Sequence, residues 1–108
     1  MIADYPKVFI SQPMRNLKEQ EILDKRAEAI IEVSAILETP INPVSSYFDI
    51  HVDSEVQATS LSALGRSIEY LGIADYAYFV KGWENARGCR IEHACCIEYG
   101  IPIIEGKV

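Results

Sequence analysis

Ala74-Asp75-Tyr76-Ala77-Tyr78-Phe79-Val80 is the strongest strand signal in the chain, because aromatic and branched side chains suit a pleated, buried surface. The residues after this strand decide the fold. Residues 81–87 read as a short loop, Gly88 opens a helix reaching Tyr99, and Gly100 stops that helix. Ile101-Pro102-Ile103-Ile104 is then apolar again. Strand, helix and strand within about thirty residues make a βαβ unit, the building block of parallel sheets.

Towards the amino end the arrangement repeats. Lys7-Val8-Phe9-Ile10-Ser11 reads as a buried strand, broken by Gln12-Pro13-Met14-Arg15-Asn16. Helical periodicity spans residues 17–37, with Ile22, Leu23, Ala27, Ile30, Ile31, Ser34 and Leu37 on one face and Thr39-Pro40 as the stop. Ile41-Asn42-Pro43-Val44 is a brief second strand whose prolines suit a sheet edge. Residues 45–54 form a polar, aromatic loop, and residues 55–71 are helical with an interruption at Gly65. The order β-α-β-α-β-α-β predicts one three-layer, Rossmann-like (flavodoxin-like) α/β domain over residues 1–108, with a four- to five-stranded, mainly parallel sheet.

Composition narrows the function classes. The 108 residues are 49% hydrophobic and 24% charged, enough to bury a core and too apolar for a disordered chain. A net charge of −6 argues against a nucleic-acid polymer as partner, since its phosphates would be repelled. No apolar run approaches the ~20 residues of a membrane helix. The opening Met1-Ile2-Ala3-Asp4-Tyr5-Pro6 lacks a basic segment leading into an apolar one, so no signal peptide is expected. Cys89, Cys95 and Cys96 are odd in number and clustered. They read as small buried side chains rather than disulfides or a zinc site, and a soluble, cytoplasmic protein is expected.

Ligands of open parallel sheets sit beyond the carboxyl ends of the strands, so the loops at 11–16 and 81–92 are the places to look. In the second, Gly88 permits close backbone approach, the helix start offers free amides to an anion, and Arg87 and Arg90 add positive charge. Glu92 is expected in or near the first helical turn, where the dipole favours its ionised form and suits a nucleophile. The same placement would also serve helix stability alone. The first loop offers Ser11, Gln12 and Arg15 for phosphate or sugar hydroxyls; as a plain turn it would carry a solvated arginine.

Taken together, Val8-Phe9-Ile10-Ser11-Gln12-Pro13-Met14-Arg15, Ala74-Asp75-Tyr76-Ala77-Tyr78-Phe79 and Gly82-Trp83-Glu84-Asn85-Ala86-Arg87-Gly88-Cys89-Arg90-Ile91-Glu92 resemble the nucleoside 2-deoxyribosyltransferase-like superfamily, in particular its small phage and bacterial branch. The resemblance implies an N-glycosidic-bond enzyme, a deoxyribosyltransferase or a hydrolase. Glu92 would be the catalytic nucleophile attacking C1′ of a deoxyribose. Phe9, Ser11, Gln12, Pro13, Met14, Trp83 and Gly88 would line the pocket, with Arg15, Arg87 and Arg90 on phosphate. It implies neither metal nor organic cofactor. Asp75 matches a recurrent position and reads as structural, at the amino end of its strand. Where the family's enzymes carry an aspartate and a strand-one tyrosine, this chain has Ser67 and Phe9. Glu69 or Glu84 would then be candidate acids. The rival expectation is a nucleotide-binding protein that keeps the pocket without the chemistry.

Three further features carry weaker expectations. Asp49, His51 and Asp53 alternate as extended metal ligands would, although a solvated loop has the same pattern. Tyr47, Phe48 and Trp83 could stack on a base or cover core, and His93 is expected in a packing role. The apolar surplus in the second half of the first helix, around Tyr70-Leu71 and at Tyr47, Phe48 and Ile50 predicts a homodimer or larger assembly. A partner copy would then supply the missing acid from Asp49, Asp53 or Glu55.

Overall fold

A computed structural model of the protein describes residues 4–44 and 60–108. Its four strands, β1 (Lys7–Ser11), β2 (Asn42–Val44), β3 (Tyr76–Phe79) and β4 (Ile103–Glu105), form one sheet in the order β2-β1-β3-β4. Every neighbouring pair is parallel, with Phe9 opposite both Val44 and Ala77. The helices are α1 (Glu19–Leu37), α2 (Ser60–Leu71) and α3 (Arg87–Tyr99), with a 3-10 turn at Trp83–Asn85. The fold is thus the expected α/β, Rossmann-like three-layer arrangement.

Strand alternation divides the core between the two faces. Val8, Ile10, Tyr78 and Val80 pack with Ala29 and Val33 of α1 and with Ile41. On the other face Phe9, Ala77, Phe79 and Val44 pack with Leu71 of α2 and Cys96 of α3. Because β1 and β3 are central, their side chains are covered on both faces, which explains why both read as unbroken apolar runs.

The helix α1 buries Ile22, Ala29 and Val33, with Ile30 and Leu37 beside them. Leu23 and Ile31, expected on that face, are exposed, so the true stripe is narrower than the sequence suggested. Its end comes at Glu38, in the left-handed region at φ 56°, whose amide bonds back to Ala35 O and Ser34 O. Gly100 ends α3 in the same region, at φ 71°, without a Cβ penalty. At the amino edge of the sheet, Asp75 Oδ2 accepts from Lys7 N at 2.8 Å, while Asp75 N donates to Lys7 O at 2.7 Å. Asp75 therefore clips β1 to β3, the structural part expected of it.

The sheet order creates one special place. From β1 the chain moves outward to β2, then returns past β1 to β3. The carboxyl ends of β1 and β3 therefore flank the point where the winding reverses, the crevice such sheets use for ligands.

Candidate active site

Ser11 ends β1 at that crevice, and Glu92 of α3 faces it. The Ser11 hydroxyl donates to Glu92 Oε1 at 2.6 Å, and the Ser67 hydroxyl of α2 also bonds the carboxylate. Glu92 is 7% exposed, Ser11 1% and Ser67 9%. Three elements thus hold one carboxyl group from separate directions. Burial pushes its pKa up to about 7, against the opposing pull of the two serine hydrogen bonds.

This differs from the expected dipole-stabilised anion. The helix α3 begins at Arg87, which puts Glu92 in the second turn, where the dipole has largely faded. Desolvation therefore sets its state, and near neutral pH both forms are populated. The thiol of Cys89 also bonds Ser11; burial pushes that thiol up to about 11, so it stays protonated. Ser67, which the sequence marked only as a departure from a pattern, is a Glu92 partner that spacing along the chain did not reveal.

The remaining candidates divide. Gln12 is buried beside Ser11, with Nε2 donating to Ile22 O of α1 at 3.0 Å. Pro13 and Met14 are half-buried, and Met14 O accepts from Leu17 N in the turn where Asn16 takes φ 65°. Arg15 and Arg87 are exposed. Arg90 is exposed too, and its Nη1 donates to Glu84 O at 2.9 Å, bracing the 3-10 turn. Gly88 lies in the first turn of α3, close to Leu64 of α2, after an N-cap alanine that offers no side-chain oxygen.

Two expected pocket residues are corrected. Phe9 is fully buried in the core on the α2/α3 face, two residues deeper than Ser11, so it supports the site from beneath instead of lining it. Trp83 turns towards β4: its ring stacks on His93 at 4.0 Å and its Nε1 donates to Glu105 Oε2 at 3.1 Å. There it lines a cleft of about 520 Å³ with Lys81, Glu84 and Glu105. His93 packs edge-on against Phe79 as well, in the packing role expected.

Neither proposed acid partners Glu92. Glu84 lines the Trp83 cleft, and Glu69 lines a separate groove with Arg66, Tyr70 and Ile73. All three cysteines are free; Cys89 and Cys96 are buried and Cys95 is half-buried. Among the described residues no group of His, Cys, Asp and Glu is arranged to hold a metal ion, and no helix is long and apolar enough to cross a membrane. Asp49, His51, Asp53, Tyr47, Phe48, Ile50 and Glu55 lie outside the described residues. Comparison with models of known families, with curated proteins and with solved structures finds no match.

Proposed function

We propose that the chain acts on the N-glycosidic bond of a nucleoside or nucleotide, as a 2-deoxyribosyltransferase or N-glycoside hydrolase, with Glu92 as nucleophile. The observation that carries this reading is Glu92, the one buried carboxyl group among the described residues, held at the reversal point between β1 and β3 by Ser11 and Ser67. A buried, perturbed carboxyl in the ligand crevice is an unusual expense for a fold that needs none there. In the reaction, an oxygen of ionised Glu92 bonds C1′ as the C1′–N bond breaks, and the base leaves with the bonding pair and takes a proton from water. Water or a second base then displaces the carboxylate, as in retaining glycoside chemistry. Glu92→Ala is expected to abolish base release from 2′-deoxynucleosides and their monophosphates; unchanged turnover would overturn the assignment.

A second reading, a nucleotide-binding protein without chemistry, is favoured by two observations. Burial leaves Glu92 partly protonated at neutral pH, and Phe9 places no hydroxyl near it. Melting stabilised by nucleotides with no base released would decide for it. The three unpaired cysteines support a reducing, cytoplasmic setting.

A further inference from the structure

Gln12 is 5% exposed, and its side-chain oxygen Oε1 is the one buried side-chain polar atom without a hydrogen-bond partner among the described residues. Its orientation is not arbitrary. The amide nitrogen faces Ile22 O at 3.0 Å, and a carbonyl only accepts, so the nitrogen must be on that side and Oε1 on the other. Gln12 comes directly after Ser11, at the carboxyl end of β1, the side of the sheet on which folds of this kind take their ligands. Strand alternation turns Ser11 towards α3 and Gln12 towards α1, so the two residues address opposite halves of the crevice. Leaving a buried acceptor unpaired is costly to the free protein, and a fixed, unpaired acceptor at a ligand crevice is the mark of a contact completed on binding.

We infer that Gln12 determines specificity by accepting a hydrogen bond from a ligand hydroxyl, and that the donor is a sugar hydroxyl across the ring from C1′. This rests on the glycosidic-bond reading for the ligand's placement. Glu92 is to reach C1′, and Gln12 is only one residue from the serine that orients Glu92, which puts the sugar, not the distal base, within its reach. An acceptor-only phosphate oxygen would be repelled by Oε1, so of the phosphate and sugar-hydroxyl contacts that the sequence offers for this loop, the hydroxyl suits Oε1. For a 2′-deoxyribose the ring hydroxyl left to serve as donor is the 3′-OH.

The test is Gln12→Met, which keeps the side-chain length and volume and removes the acceptor. Calorimetric binding is measured for wild type and variant with 2′-deoxyadenosine and 2′,3′-dideoxyadenosine, alongside the melting temperature of each free protein. Wild type is expected to bind the dideoxy compound at least tenfold more weakly, with the variant binding both equally and close to the wild-type dideoxy value. The free variant loses the Nε2 bond to Ile22 O together with the unsatisfied Oε1, so its melting temperature serves only to show that it is folded. Equal discrimination by both proteins overturns the assignment. If neither nucleoside binds wild type, the glycosidic-bond reading fails, and the sugar-hydroxyl assignment falls with it.

Discussion

Glu92 shows how burial and hydrogen bonding compete at a single residue. Removing the carboxylate from water raises its pKa to about 7, while Ser11 and Ser67 pull the other way. Between the unfolded value near 4.5 and the folded value near 7, the native state binds more protons, so stability falls as pH rises through that window. The full loss is on the order of 3 kcal/mol. Glu92→Gln should therefore flatten the melting temperature between pH 5 and 7 and stabilise the protein at pH 8, while losing base release. Ser11→Ala removes a donor that favours the anion, so the alkaline rise of activity should move to higher pH, readable as a shifted kcat/KM profile. Ser11 and Glu92 could be singled out from the sequence because one ends a strand and the other follows closely on a helix start, but the second-turn position of Glu92 and its bond to Ser11 could not. Phe9 was misplaced, although alternation puts it on the face of Ser11 and about 7 Å deeper, under the floor of the site. The turn of Trp83 towards β4 depends on His93 and Glu105, contacts that spacing along the chain does not encode.

At the scale of elements, the carboxyl edge of β3 and β4 is closed by the last residues of the chain. Gly106 N donates to Phe79 O at 2.8 Å, and Lys81 N donates to Val108 O at 2.8 Å. Gly106 passes so close to the Tyr78 ring that a Cβ would overlap it and approach Phe79 O at 2.7 Å. Gly106→Ala is accordingly expected to cost about 1–3 kcal/mol, measured by urea unfolding. Beneath it, Glu32 of α1 accepts from the Tyr78 hydroxyl at 2.5 Å and from Lys107 N at 2.8 Å. Burial would raise the Glu32 pKa, but those bonds outweigh it and the value is lowered. Tyr78→Phe should cost roughly 2 kcal/mol, as for a hydrogen bond to a charged group. That loss should shrink as the pH falls and Glu32 protonates. The strands and helices themselves were readable from periodicity and punctuation. The 3-10 turn was not, because its Gly82 start in the left-handed region and the brace from Arg90 to Glu84 O are tertiary facts.

Across the whole molecule, apolar side chains remain uncovered on all three helices: Ile31 is 71% exposed, Leu61 76%, Ile97 64% and Tyr99 83%. Leu71, counted from sequence with this surplus, is instead core. The residual surface supports the proposal that the protein self-associates. Light scattering of an active sample at micromolar concentration should give at least a dimer mass, and a strictly monomeric mass would refute that. Attack of Glu92 on the sugar leaves a covalent product that can be trapped. The protein is incubated with 2′-deoxynucleosides at pH 7.5, quenched, and digested for peptide mass spectrometry. Free base is expected together with a deoxyribosyl adduct on the Glu92 peptide, both absent from Glu92→Gln. Base released by Glu92→Gln at the wild-type rate, with no adduct on that peptide in either protein, would contradict attack by Glu92.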